Sequence, residues 1–292
     1  MSKQLTLILS FVVLFFSACS FGGATPLDES EDKNALINIE GKDVSTYLIG
    51  EYIAPSEAVE KLEEAGFDVI GSYKPVKDGL CIVFTNDELK QEASEPGRAY
   101  AAVLRLFIDK QEQTISFTNP IYFGKAFMQD DYDHDVFNEV LASINEEFSD
   151  LLPSKDRMNF DKLSNYHFMM GMPYYKDVDL LGKKAINNEK IIEKAETYRK
   201  GKGVVFKLIL SENSTLIGFK LTKRSKKFVS KVGRANGSVL PYCIAVENGQ
   251  AMALNAKYYI ALSYPLLDMA GFMSIATVPG AITKELEKPF KK

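Results

Sequence analysis

The sequence predicts an α+β protein: two tandem copies of a small antiparallel sheet, each with helices on one face, docked as an internal pseudo-dimer. Three observations predict it. The order helix, hairpin, short helix, hairpin, closing helix occurs twice along the chain. Each hairpin is a pair of apolar runs split by turn residues. The two copies also differ in sign: residues 40–150 hold 9 basic and 23 acidic side chains, net −14, whereas residues 174–292 hold 21 basic and 10 acidic, net +11. Oppositely charged domains attract, so the copies are expected to dock rather than swing. A chain of 292 residues, 46% hydrophobic and 25% charged, has room for both and is not a disordered, collagen-like or disulfide-dense chain.

At the start of the chain, Lys3 precedes the apolar run of residues 5–16 (LTLILSFVVLFF). Crossing a bilayer takes about 20 such residues, so the run reads as a signal-peptide core. Its ending, Phe16-Ser17-Ala18-Cys19, resembles the lipobox of bacterial lipoproteins. The resemblance implies that Cys19 is diacylated and anchors the mature chain in the membrane. Residues 1–18 are then the signal peptide, and residues 19–39 the acylated cysteine with a small, polar, acidic tether. The expected location is the bacterial cell envelope, facing the periplasm or the exterior, with Ser20 favouring the outer membrane. Residues 269–282 are apolar but short and broken by Pro279 and Gly280.

The first copy, residues 40–152, begins with a helix at residues 58–63 (AVEKLE), capped by Ser56; its partner is residues 191–196 (IIEKAE), capped by Asn188. Hairpins follow at residues 68–73 with 80–85, and at 204–210 with 216–222. A short polar helix ends at Gly97 or Gly233. A second hairpin pairs residues 100–109 with 114–118, matched by 240–246 with 253–263. Pro120 and Pro265 come next, each followed seven residues later by Phe-Met (Phe127-Met128 and Phe272-Met273), at a constant offset of 145. The closing helix places Val136, Phe137, Val140, Leu141, Ile144 and Phe148 on one stripe. At the same offset Phe137 and Leu141 fall on Ile282 and Leu286. Residues 153–183 form a connector and residues 184–292 the second copy.

Val239-Leu240-Pro241-Tyr242-Cys243-Ile244-Ala245-Val246, followed by Asn248-Gly249, resembles a strand of the family called domain of unknown function 302. The resemblance implies a compact α/β sandwich that pairs as a dimer, here within one chain, and brings no established reaction. Thr85-Asn86-Asp87 and Thr222-Lys223-Arg224 stand where that family has Cys-Asn-Pro, and Cys243 is shifted by one position. No cysteine-based activity is therefore carried over.

Chemistry is sparse. With 3 Cys and 2 His there is little material for a metal or thiol framework, and no phosphate loop, nucleophile elbow or paired-His motif occurs. The expectation is a non-enzymatic, cofactor-free binding module, a monomer with an internal pseudo-dimer. A small apolar ligand would sit between the copies, with residues 120–128 and 265–273 at the seam. Alternatively an anionic envelope partner would meet the basic face Lys220, Lys223, Arg224, Lys226, Lys227, Lys231 and Arg234. Nucleic acid does not fit an extracytoplasmic chain without a nucleic-acid motif. Residues 129–135 (QDDYDHD) suggest a calcium loop, but Val136 and Ala142 replace its Gly and closing Glu, and the run reads as an acidic helix N-terminus. His167, Met169, Met170 and Met172 are soft ligands suited to Cu(I), or packed connector residues. A copper handler, or an enzyme of unknown class, is the alternative reading. Cys81 and Cys243 are expected as inert thiols in buried strands.

Overall fold

The structure, a computed structural model, describes residues 41–291. Cys19, the apolar run and the tether lie outside the described residues. Among the described residues no helix is long and apolar enough to cross a membrane.

The first half runs β1 (Asp43–Ser45), β2 (Tyr47–Glu51), α1 (Pro55–Glu64), β3 (Asp68–Tyr73), β4 (Gly79–Thr85), α2 (Asp87–Glu92), a 3-10 turn (Ala99–Ala102), β5 (Leu104–Asp109), β6 (Thr114–Thr118), α3 (Pro120–Met128), α4 (His134–Glu147), β7 (Leu152–Pro153) and β8 (Arg157–Asn159). The second half runs α5 (Phe160–Leu163), β9 (Asp179–Leu181), α6 (Asn188–Thr197), β10 (Val204–Ser211), β11 (Ser214–Phe219), α7 (Lys223–Lys226), α8 (Phe228–Val232), a 3-10 turn (Arg234–Val239), β12 (Tyr242–Glu247), β13 (Gln250–Ala253), α9 (Ala256–Ser263), α10 (Met269–Ser274) and α11 (Val278–Leu286). One antiparallel sheet has the order β3-β4-β5-β6-β2-β7 and the other β10-β11-β12-β13-β9. In both, two hairpins lie side by side and the strand before the first helix is added beyond the last. β1 pairs with β8 in a separate ribbon.

Local chemistry explains most boundaries. On α4, Phe137, Val140, Leu141 and Ile144 form the buried stripe. Its start is capped by Asp133, whose carboxylate accepts from the N–H groups of Asp135 and Val136. The helix caps near α1 and α6 differ from expectation. Pro55 opens α1 at the position where a missing N–H costs nothing, so Ala54 rather than Ser56 is the cap residue. Asn187 caps α6, because the Asn188 side chain is spent elsewhere, accepting from Gly249 N–H at 2.7 Å.

Further expectations are corrected. Residues 253–263 are not a strand: β13 ends at Ala253 and α9 begins at Ala256, capped by Asn255 accepting from Lys257 N–H at 3.0 Å. Every α9 residue except Lys257 is buried, so the run has no period to separate helix from strand. Residues 100–102 belong to a 3-10 turn and β5 starts at Leu104. Finally, Pro120 opens α3 whereas Pro265 follows the end of α9, so the 145-residue offset pairs different elements; Phe127-Met128 closes α3 and Phe272-Met273 lies in α10. The partner of α3 is α9. Asn119 caps α3 by accepting from Ile121 N–H at 3.0 Å, as Asn255 does for α9. The connector is divided as well: β9, within residues 153–183, is a strand of the second sheet.

Buried and part-buried hydrogen bonds join the halves, and several of them come in reciprocal pairs. Tyr122 on α3 donates to Leu262 O on α9 at 2.9 Å, and Tyr258 on α9 donates to Ala126 O on α3 at 3.4 Å. Glu247 ends β12 and receives Gly97 N–H on both carboxylate oxygens, at 3.0 and 2.9 Å. Asp109 ends β5, the corresponding strand, and receives Arg234 through Nε and Nη2, both at 2.6 Å. The 3-10 turn Arg234–Val239 packs on β5 and β6, while Ala99–Ala102 packs on β11 and β12. Tyr47 donates to Ser263 O at 2.9 Å and Tyr73 to Leu221 O at 3.2 Å, so these two buried phenols find their partners across the seam.

Glu285 on α11 ties the closing helix to the second sheet. It receives Arg199 at 2.8 Å, Thr222 N–H at 2.7 Å and the Thr222 hydroxyl at 2.9 Å. Burial pushes its carboxyl up, but the donors Ser225, Arg199 and Thr222 outweigh it and hold the pKa below its ordinary value. A depressed carboxyl adds stability that is present above its unfolded-state pKa, about 4.3, and is lost as pH falls through the folded value. Glu285→Gln is therefore expected to lower the unfolding free energy by about 1.5 kcal/mol at neutral pH. The gap should close as pH drops below about 4. Urea melts of both proteins across that range check it; a pH-independent gap would refute the charge-based account.

Candidate functional site

Each half has a groove bounded by the end of the strand that precedes its first helix, by that helix and by the end of its closing helix. In the second half the strand end β9 leads into Gly182, Lys183, Lys184, Ala185 and Ile186. Lys190 and Lys194 lie one turn apart on α6, and Phe290 with Lys291 closes the third side of a groove of about 580 Å³. Gly182 has φ +75°, and a Cβ there would meet Phe290 O at 2.6 Å, so only glycine lets the strand end and the C-terminal turn approach this closely. The loop is pinned from the other side, where Ala185 N–H donates to Gly249 O at 2.8 Å. α6 turns Ile191 and Ala195 into the core and so offers its lysines to the groove. At the rim Ile186 is 96% exposed, and Leu180 on the edge strand β9 is also exposed. Among the described residues no carboxylate lines this groove; Lys291 pairs with Glu287 at its edge, at 2.7 Å.

The first half carries the counterpart, a groove of about 830 Å³ bounded by the end of β2, α1 and the end of α4. Glu57 and Lys61 on α1 occupy the places of Lys190 and Lys194. Glu51, Glu57, Glu147 and Asp150 line it, against Lys61 alone. The Lys61 ammonium is engaged, donating to Glu147 O at 2.8 Å. Two grooves at corresponding places thus present opposite charge.

The basic face read from the sequence is only partly a free surface. Arg234 is bound to Asp109, and Lys226 donates to Lys74 O at 2.7 Å over the Tyr73 ring, so both belong to the seam. Lys231 donates to Ser274 O. Lys220, Lys223, Arg224 and Lys227 are exposed. The seam itself is not an open cleft. Residues 120–128 do lie there, but α9, not residues 265–273, supplies the facing helix. The cavity between Arg105 and Tyr259 measures about 10 Å³, room for one water-sized particle. Organic ligands need several hundred Å³.

In the connector the His167 ring lies 4.4 Å from that of Tyr174, and Phe168 stacks on Phe272 at 5.0 Å. Met169 and Met170 face solvent while Met172 packs against the core. Among the described residues no group of three or more His, Cys, Asp or Glu is placed to hold a metal ion. Cys81 and Cys243 are buried free thiols. The groove lysines were not singled out in the sequence as one set. Their signals are local, a Lys183-Lys184 doublet and an i, i+4 pair on α6, and only the fold brings Lys291 to them.

No protein-family model, curated protein or solved structure matches this chain.

Proposed function

We propose that the chain is a duplicated, lipid-anchored envelope protein that binds rather than catalyses, and that the basic groove of its second half docks on an anionic, phosphate-bearing lipid surface. The observation that carries this reading is the groove lined by Lys183, Lys184, Lys190 and Lys291, with no carboxylate among its described lining residues, under an Ile186 side chain standing 96% exposed at its rim. Cations around a projecting apolar side chain suit the boundary between headgroups and acyl chains. The lipobox-like ending at Cys19 would hold such a groove close to a bilayer. Duplication and internal pairing are supported by the matching strand orders and the reciprocal bonds between halves. In that arrangement the acidic groove of the first half is the counterpart that lipid repels.

Every described strand and helix lies within residues 41–291, so a chain of residues 20–292, free of leader and acyl chains, is suited to the test. It is expected to co-sediment with phosphatidylglycerol vesicles and not with phosphatidylcholine vesicles, and to be released by salt. Each lysine near an anionic surface contributes about 1 kcal/mol, so Lys183→Ala, Lys184→Ala and Lys190→Ala together should weaken binding by roughly 100-fold. Unchanged affinity in that variant, or equal affinity for neutral vesicles, would remove the reading.

A further inference from the structure

Arg105 on β5 points across the seam, is 4% exposed, and has no carboxylate partner among the described residues. Its Nη2 donates to Cys243 Sγ at 3.0 Å and reaches Pro241 O at 3.5 Å, both in the second half. Its Nε–H is buried with no hydrogen-bond partner. A guanidinium stays protonated at any pH at which proteins fold, so this is a buried full charge. The nearby thiols do not balance it. Burial pushes Cys81 up to about 12 and raises Cys243 despite the adjacent guanidinium, leaving both neutral near pH 7. Isolated buried charges are costly enough that folded proteins pair them or supply an ion.

Beside Arg105 lies the seam cavity of about 10 Å³, lined also by Tyr100, Phe127, Tyr242, Cys243, Leu254 and Tyr259. Two of the phenols are committed elsewhere: Tyr100 donates to Met252 O at 3.0 Å and Tyr242 to Leu254 O at 2.5 Å. Besides Arg105, the remaining lining offers the Tyr259 hydroxyl and the Cys243 thiol and is otherwise aromatic and aliphatic carbon, few partners for a neutral water, which needs two to four. Aromatic ring edges are electropositive and favour an anion. The volume admits one particle about the size of a water and excludes phosphate, sulfate or a carboxylate ligand.

We propose that this cavity is a binding site for a single small inorganic anion of halide size, held by Arg105 Nε–H between the two halves. The ion neutralises the buried cation and is bound only when the halves are docked, so halide concentration feeds into the stability of the folded chain. This site is independent of the lipid-facing groove.

The test is diffraction from crystals of the unmodified protein grown or soaked in bromide, collected at the bromine edge. The expected result is an anomalous peak in the cavity within about 3.5 Å of Arg105 Nε. Water or no density there overturns the proposal. In solution, replacing gluconate by chloride at fixed ionic strength, from about 1 to about 100 mM, should raise the melting temperature by about 3 °C. Equal melting in both salts counts against the site. Arg105→Met should abolish the chloride dependence, and should it fail to fold, the bromide map of the parent protein decides alone.

Discussion

Replacing Arg234 by Met is expected to lower the unfolding free energy by about 3 kcal/mol. The Arg234 guanidinium meets Asp109 side-on at 2.6 Å through two nitrogens, and its Nη2 also donates to Lys77 O at 2.8 Å. Asp109 is 1% exposed. Without the arginine its carboxylate keeps, among the described residues, the N–H groups of Gln111 and Glu112, at 2.9 and 3.2 Å. An anion left in a dry seam without its counter-charge is among the costliest single changes available to a folded chain. The loss therefore measures an abandoned charge, not the net worth of the pair. Asp109→Asn combined with Arg234→Met should then recover a large part of it, a coupling visible in a double-mutant cycle by urea unfolding. Additive losses, or a single-variant effect under about 1 kcal/mol, would show that water reaches Asp109 and that the pair is a surface bridge.

Phe107→Ala is expected to cost about 4 kcal/mol. Phe107 lies on β5, is 1% exposed, and its ring passes between Gly79 of the first half and Gly237 of the second. A Cβ on Gly237 would come within 2.5 Å of that ring and one on Gly79 within 2.7 Å, closer than carbon atoms approach without displacement. Both glycines are small because the ring fills the space their side chains would take. Truncation of the ring opens a cavity bounded by two rigid backbones that cannot collapse into it. The converse also follows. Gly237→Ala alone should destabilise by about 2 kcal/mol through overpacking. Adding Phe107→Leu should relieve part of that cost, so the pair loses less than the sum of its members. Strict additivity in chemical denaturation would mean that the ring has room to move.

Those two contacts show which parts of the protein were legible in its sequence. The hairpins β3–β4 and β10–β11 announce themselves because apolar runs of strand length are bounded by turn residues at Lys77-Asp78-Gly79 and Glu212-Asn213-Ser214. The α4 stripe is legible because only one face of that helix is buried. α9 is not, since a helix buried nearly all round loses the period that identifies it. Only the Asn255 cap remained as a local signal for it. The site divides in the same manner. A count of charges along the chain finds the basic half, but not which of its cations are free. Arg234 and Lys226 look like their neighbours in sequence and are consumed at the seam, whereas Lys183, Lys184 and Lys190 line a groove.

By itself the sequence determined the α+β class, most strands and the opposite signs of the two halves, because hydrophobic period, turn chemistry and charge are local properties of the chain. Tertiary structure alone decided that α9 faces α3, that Arg105 is buried without a carboxylate among the described residues, and that Lys291 joins lysines from the far end of its own half. Such facts depend on which surfaces meet, and residues distant along the chain acquire a shared environment only when packing brings them together.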